Sequence, residues 1–591
     1  MSSPSDAREP ANPGSPAPGG ARPDANVRAG TPDGRPSFMG TLAASRLWAY
    51  LRSPAGQLRV AWTLTLLGIA LYVLVVGRHA LVRYQAYRAD AFDLGNMDQA
   101  LWNTLHGHPF RFTNQGLDWY GPPTRLGVHV EPILLLIAPL YLIHTGPETL
   151  LILQTVALAL GGIPLFLLCL RRLPEAPLVG VAFVVAYLLA PELFGEALWD
   201  FHAVALATPL LLLALWALDA RRYGWFVVAG ALAALTKEDV ALALIPLGVY
   251  LATWRGKPRL GWGVVALSVA WVGCCFGFIL PHFSGGASGG NNFWYRYSWL
   301  GASPGAAVSN VLTHPWLPFV GVLGDGVKRG YLVELLRTGG GLGIFAPVAW
   351  ICGLPELAVN ILSTHEEQYS GFFQYNAVML VFLLGAAVYG TEALYWARHL
   401  TSYPRRSHGE RGSIAEKSLT SRRETSHAGS LSARIIAGSA LVSQAWRRLL
   451  ARIPIPSQWV LPLVVVWLVF ASVWNLSASG PRLAAFWHAG DSSFTQQTAV
   501  DALLARVPAN AVVAATDSLD PHLSDRYTIY LMPDPRSYQA DYVAINIRDA
   551  VFLVRDADAK MEAAMLASGH YVIVGTAGDV TLLHRIGPPI D

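Results

Sequence analysis

Residues 58–77 read LRVAWTLTLLGIALYVLVVG, twenty residues with a single charge, Arg59, next to the first position. A helix rises about 1.5 Å per residue, so such a run crosses the roughly 30 Å hydrocarbon core of a bilayer. Working outward, comparable apolar runs lie at 148–170, 178–193, 203–218, 224–235, 240–253, 260–280, 376–397 and 459–475. The composition agrees: 53% of residues are apolar, only 14% are charged, and mean hydropathy is +0.38. Soluble domains carry about 25% charged residues. The chain therefore reads as an all-α polytopic membrane bundle. A net charge of +4 is too small to select a partner, and no nucleic acid is expected. Cys169, Cys274, Cys275 and Cys352 all fall inside apolar runs, as small core residues rather than a disulfide or metal framework.

Arginine and lysine then set the topology. Arg46, Arg52 and Arg59 sit at the start of the first run, which places the N-terminus in the cytoplasm by the positive-inside rule. Residues 1–45, rich in Pro, Gly, Ala and Ser, form a disordered cytoplasmic N-terminus. They are no secretory signal, because the first apolar run comes too late. The short run 132–143 suits a re-entrant or juxtamembrane helix. Counting it as non-crossing brings Arg171 and Arg172, Arg221 and Arg222, and Arg255, Lys257 and Arg259 all inside. In 331–362, Gly339–Gly341, Pro347 and Pro355 break any long helix and call for a broken hairpin. Residues 398–457 form a basic, disordered cytoplasmic loop, and 458–477 the last transmembrane helix. The total is about eleven crossings. Residues 480–591 change pattern: helical 498–507, β-like 511–515, helical 559–568 and a hairpin over 571–584 describe a small extracytoplasmic α/β domain.

The polar residues sort by side. In 91–103, AFDLGNMDQALWN, Leu94, Met97, Leu101 and Leu105 make an amphipathic interfacial helix with Asp93 near its start and Asp98 within it. Asp93 is either a helix cap or a reactive carboxylate. The same outer loop ends in His129-Val130-Glu131-Pro132, and a second outer turn carries Glu192, Glu196, Asp200 and His202. Two loops thus bring carboxylates and imidazoles to one face, suited to general-base chemistry or a divalent cation. Lys237-Glu238-Asp239 lies between apolar runs, as a structural ion pair or the lining of a hydrated cavity. Arg296 sits in NNFWYRY (291–297), an interfacial belt or a carbohydrate or phosphate platform. The loop STHEEQY (363–369) adds His365 and Glu366.

Phe92-Asp93-Leu94-Gly95, Asp98–Asn103, His129–Pro132, Leu235-Thr236-Lys237-Glu238-Asp239, Leu354-Pro355-Glu356 and His522-Leu523-Ser524-Asp525-Arg526 together resemble an uncharacterised family of predicted bacterial multi-pass membrane proteins, known as a domain of unknown function. The pattern commonly has Tyr where this chain has Phe92 and an apolar residue where it has Asn96. The layout is similar to that of the GT-C membrane glycosyltransferases, which carry one acid in the first extracytoplasmic loop and another in the next. That similarity makes residues 58–397 a GT-C-like transmembrane domain. It implies Asp93 as the first-loop catalytic acid and Asp200, or Glu196, as the second. Asp98, His129, Glu131, Glu196, His202, Lys237, Glu238, Asp239 and Arg296 would line the substrate site. The implied donor is a polyprenyl-phosphate sugar reached from the membrane lipid, with an extracytoplasmic acceptor. A divalent cation such as Mg or Mn between Asp93 and Asp200 is an option, and Lys237, Arg125 or Arg296 could face the leaving phosphate. The location is the plasma membrane. A transporter or flippase using 237–239, and a non-catalytic scaffold, are the competing classes.

Overall fold

The computed structural model describes residues 46–114, 122–284, 293–402, 449, 452–453, 455–487, 494–549 and 555–590. The expected disordered lead at 1–45 and most of the basic loop, 403–448, lie outside the described residues, as do Asn291 and Asn292. The chain divides into residues 1–55, of which helix Arg46–Arg52 is described, and residues 56–591, which carry the rest of the fold.

Among the described residues five helices are long and apolar enough to cross a membrane: Pro54–Gln85, Pro147–Arg172, Pro258–Phe283, Gln374–Arg398 and Ser457–Ala478. Two further pairs qualify if each is one bent span. Pro177–Leu188 and Pro191–Leu198 meet at 49°, and Pro304–Thr313 and Leu317–Leu323 at 94°. The second pair follows the NNFWYRY stretch and lies outside the apolar runs named above. Pro315 splits its apolar run, so neither half reaches span length. Three of the expected crossings are shorter apolar helices: Ala203–Asp219, Tyr223–Ala234 and Val240–Thr253. A helix of 12 residues rises only about 18 Å, so Tyr223–Ala234 ends well short of a full crossing. The turn that follows it carries Lys237, Glu238 and Asp239.

Close approach explains how the bundle packs. At Gly195 a Cβ would lie 1.3 Å from the Phe372 carbonyl oxygen, so only glycine lets these two segments touch. Phe166, Phe183, Tyr187 and Leu211 fill the core beneath. The broken region is Gly326–Arg337, Thr338–Phe345, Pro347–Gly353 and Leu354–Ile361. Gly339, Gly340 and Gly341 have φ of 66°, 67° and 70°, the left-handed region that favours glycine. Trp467 Nε1 on the last span donates to the Gly340 carbonyl at 2.7 Å and fixes this turn.

One end of the bundle is basic. Arg171 Nε lies 2.8 Å and Arg255 Nη2 3.2 Å from the buried Asp219 carboxylate, which Arg172 also contacts. Arg172 further pairs with Glu392 at 3.0 Å. Asp219 ends a helix of 13 residues, Ala207–Asp219, so the other end of that helix is about 20 Å away.

Residues 494–549 and 555–590 form two helices, Phe494–Leu504 and Arg555–Ala567, and a five-stranded sheet in the order β2-β1-β3-β5-β4. The strands are β1 (Val513–Ala515), β2 (Ile529–Leu531), β3 (Tyr542–Asn546), β4 (Tyr571–Ala577) and β5 (Val580–Arg585). β1 pairs in parallel with β2 and β3, while β5 pairs antiparallel with β3 and β4. The expected closing hairpin is β4–β5. The sheet docks on the first loop. Thr113 Oγ1 donates to the Ile529 carbonyl at 2.7 Å and accepts from the Ile529 N–H at 2.9 Å. Asn114 Nδ2 donates to Asp520 at 2.6 Å. At Gly95 a Cβ would sit 2.1 Å from Asp520 Oδ1. Gly95→Ala should therefore loosen the docked sheet segment, read as faster protease cleavage within 494–590 at unchanged helical circular dichroism.

Candidate active site

The site begins where the first span ends. After Gln85 the chain turns, and Ala91–Gly95 forms a single π-helical turn leading into helix Asn96–Leu105. π-turns often occur at functional positions because they re-aim one side chain. Here that side chain is Asp93. Its Oδ2 accepts a hydrogen bond from Trp199 Nε1 at 2.9 Å, and its Oδ1 lies 3.1 Å from His202 Nε2. The side chain remains 29% exposed, so the carboxylate is held and still open. Burial pushes the Asp93 carboxyl up, but the His202 charge and the hydrogen bonds from His202 and Trp199 outweigh it and hold the group at about 2. Burial pushes His202 down, yet Asp93 raises it above its ordinary range.

Three buried side chains keep this pair in place. Gln154, about two turns into span Pro147–Arg172, accepts from the His202 backbone N–H at 2.9 Å. Its amide donates to the carbonyls of Glu196 (2.6 Å) and Asp200 (3.0 Å). Arg83, in the last turn of the first span, pairs with Asp200 and lies 4.9 Å over the Trp199 ring. Asp200 also accepts from the Asp90 backbone N–H at 2.6 Å and is 1% exposed. On the other side, Asp517 accepts from the Ala91 N–H at 2.9 Å, so the docked sheet segment holds the start of the π-turn.

The remaining predicted residues fall into groups. Arg125 donates to Glu131 at 2.6 and 3.2 Å and to Asn96 Oδ1 at 2.7 Å. His129 Nδ1 lies 2.9 Å from Glu238 and stacks on Phe293 at 5.3 Å. Glu238 also accepts from the Val130 N–H at 3.0 Å. Lys237 Nζ lies 2.9 Å from Asp239, with Glu356 buried nearby. Arg296 packs over Phe293 at 4.6 Å and donates to Gln368 at 3.3 Å. Tyr375 links the groups: its hydroxyl hydrogen-bonds Arg296, and Asp93 and Lys237 both lie within electrostatic reach of it. Asp93 and His202 are thus in contact, and Tyr375 lies within electrostatic reach of Asp93, Lys237 and Arg296, although these residues come from five separate stretches of chain.

Two predicted residues face elsewhere. Asp98 is 0% exposed and accepts from Tyr141 and Ser524 hydroxyls, each at 2.6 Å, so it sits in the contact with the sheet segment. Glu196 is 1% exposed within the bundle, where Thr208 donates to it at 3.0 Å. Asp93 and Asp200 do not fit a shared divalent cation, since each already faces a cationic side chain of the protein, His202 and Arg83. Among the described residues no group of three or more His, Cys, Asp or Glu is placed to hold a metal ion.

Sequence reasoning missed Trp199, Gln154, Arg83 and Tyr375. Gln154 carried a signal, a lone amide inside an apolar run, which is costly unless it is bonded. Arg83 reads as an ordinary flanking cation. Trp199 and Tyr375 are lost among the chain's 20 Trp and 22 Tyr.

A bundle of apolar spans with a partly open acid–imidazole pair at one end defines a polytopic membrane protein with a candidate polar site. The chain belongs to the predicted membrane protein family DUF2079, which it matches over residues 83–406. No curated protein matches it. Among solved structures it is similar to ArnT from Cupriavidus metallidurans bound to undecaprenyl phosphate, at 13% identity and a TM-score of 0.45, over 88% of this chain and 99% of that one. Apo ArnT from Cupriavidus metallidurans gives 13% identity and a TM-score of 0.41, with the same coverage.

Proposed function

We propose that the protein is a GT-C-like membrane glycosyltransferase that moves a sugar from a polyprenyl-phosphate donor to an extracytoplasmic acceptor. The observation that carries this reading is the pairing of an open, oriented carboxylate with an available guanidinium. Asp93 is held by His202 and Trp199 yet remains partly exposed. Nearby, Lys237 is neutralised by Asp239, Arg125 by Glu131 and Arg83 by Asp200. Among the described residues no carboxylate pairs with Arg296, whose guanidinium hydrogen-bonds Tyr375, a residue within electrostatic reach of Asp93.

Glycosyl transfer needs both parts. The acceptor hydroxyl must be oriented and lose its proton as it attacks the anomeric carbon, and the leaving lipid phosphate gains negative charge as the bond breaks. Asp93 orients the hydroxyl and takes the proton. A carboxylate held near 2 is a weak base, so the proton moves late, once the bond to carbon has made the hydroxyl acidic. Arg296 faces the phosphate, where a planar guanidinium offers paired N–H donors. Asp200 acts through Arg83 and the Asp90 backbone, as a positioning residue. His129, Glu131, Glu238 and Asp239 fix the far wall.

Sidedness supports the reading. The Arg171–Arg172–Arg255 cluster lies at the opposite end of helix Ala207–Asp219 from His202, and with the positive-inside rule this favours an extracytoplasmic site. The test uses membranes containing the full chain and a radiolabelled polyprenyl-phosphate sugar. Arg296→Ala should raise KM for the lipid donor about tenfold to a hundredfold, the loss of one charge-assisted contact, and change kcat less. An unchanged KM would remove the phosphate from Arg296. Labelling of Asp93→Cys only after membrane permeabilisation would remove the extracytoplasmic site.

A further inference from the structure

The sheet segment meets the first loop through three aspartates in residues 517–525, Asp517, Asp520 and Asp525. Asp517 Oδ1 accepts from the Ala91 N–H at 2.9 Å, and Asp520 Oδ1 accepts from Asn114 Nδ2 at 2.6 Å. Asp525 meets another carboxyl, that of Asp98, within hydrogen-bonding reach. In each of the three side chains one oxygen is left over. Asp517 Oδ2, Asp520 Oδ2 and Asp525 Oδ1 are buried, and among the described residues nothing donates a hydrogen bond to them. Asp517 is only 8% exposed and Asp520 0%.

Such oxygens are costly to bury, more so on a charged group. Two carboxylates also cannot hydrogen-bond each other, because neither has a donor until one takes up a proton. The surroundings supply little positive charge. Asp517 faces Asp90 and Asp549, and Arg83, beyond Asp90, pairs with Asp200. Asp525 faces Asp98 and Glu148: a Cβ at Gly146 would meet Glu148 Oε2 at 2.9 Å and Asp525 Oδ2 at 3.8 Å. Tyr84 lies within reach of Asp98, Glu148 and Asp525, while Tyr141 and Ser524 donate to Asp98 at 2.6 Å each. Two cations stand close. His144 lies 3.8 Å from Glu148, and Arg526 donates to the carbonyls of Leu523, Pro508 and Ala511. Neither forms a salt bridge with the three aspartates among the described residues. Burial accordingly pushes Asp517 and Asp525 up, and Asp520 up to about 7, against hydrogen bonds that pull the other way.

We propose that the contact between the sheet segment and the first loop is a proton-operated latch, which Asp517, Asp520 and Asp525 close when protonated and release when ionised. Undocked and solvated, an aspartate gives up its proton near 4; docked, Asp520 keeps it to about 7. Docking therefore takes up protons. It is tightest at acid pH and weakens as pH climbs from about 4 to about 7. Asp517 holds the N–H at the start of the π-turn, so release frees the turn that aims Asp93. The latch does not depend on the glycosyltransferase reading.

The experiment follows hydrogen–deuterium exchange of the full-length protein in detergent micelles at pH 5 and pH 8, each rate corrected for the intrinsic pH dependence of amide exchange. Peptides covering 513–531 should open at least tenfold more often at pH 8, since each proton taken up on docking shifts the equilibrium about tenfold per pH unit. Peptides covering the hairpin 571–585 should not change. The triple variant Asp517→Asn, Asp520→Asn, Asp525→Asn keeps the side-chain shapes without the charge, and should stay closed at both pH values. Should it fail to fold, Asp520→Asn alone carries the test, and should cut the opening of 513–531 at pH 8. Equal protection at both pH values, looser protection at pH 5, an equal rise in the hairpin, or wild-type opening at pH 8 in Asp520→Asn would each overturn the proposal.

Discussion

Asp93→Asn should lower consumption of a polyprenyl-phosphate sugar by about 10²- to 10⁴-fold, the usual contribution of a positioned acid–base group, while protein level and thermal midpoint stay near wild type. Stability should survive because the amide oxygen can still accept from Trp199 and the side chain is partly open to solvent. The pH profile gives a second check. Asp93 lies below its ordinary range, at about 2, so its ionised form is lost only as pH falls through that value, far below any working pH. His202 lies above its ordinary range, so the attraction to Asp93 is fully present below about 6.5 and is lost as pH rises through the elevated value. Activity should therefore fall on the alkaline side with no Asp93-linked acid limb. His202→Gln should remove that alkaline limb and lower kcat. Wild-type consumption by Asp93→Asn, measured at matched protein level, would end the catalytic assignment.

The sequence exposed some of this arrangement and hid the rest for physical reasons. The long spans were readable because twenty apolar residues have few other fates. The short helices Tyr223–Ala234 and Val240–Thr253 were not, because hydropathy alone does not separate a half-length helix buried against neighbours from a crossing. Asp93 stood out because it sits at the start of an amphipathic helix next to a membrane span. The partner it meets, His202, was visible as a nearby acid–imidazole turn, but their 3.1 Å contact depends on Gln154 holding the His202 backbone from inside the bundle. Asp98 looked equivalent to Asp93 in sequence, five positions along the same stretch. The π-turn at Ala91–Gly95 changes the helical phase between them, so one side chain opens to the site and the other faces Ser524. The hairpin β4–β5 announced itself through its turn, whereas β2, three residues long, is too brief to leave a period.

Asp200→Asn should behave differently from Asp93→Asn, and the difference separates positioning from chemistry. The Asp200 carboxylate is 1% exposed, pairs with Arg83 and accepts the Asp90 N–H at 2.6 Å, three residues before Asp93. Removing its charge takes the ion-pair partner from a buried guanidinium, and breaking such a pair costs about 3–5 kcal/mol. The unfolding free energy of Asp200→Asn in detergent micelles should drop by that amount, together with activity. Arg83→Met combined with Asp200→Asn removes both charges and should regain most of the lost stability, because a buried pair replaced by apolar groups is often neutral. Activity should not return with it, since the Asp90 N–H loses its charged acceptor and the π-turn its fixed entry angle. A double variant that recovers stability and activity together would show that the pair only holds the fold. An Asp200→Asn protein that unfolds at wild-type free energy yet fails to consume donor would move the proton-accepting role from Asp93 to Asp200. The geometry argues against that outcome: a carboxylate with both oxygens already engaged by Arg83 and a backbone N–H, and closed to solvent, has no face left for an acceptor hydroxyl.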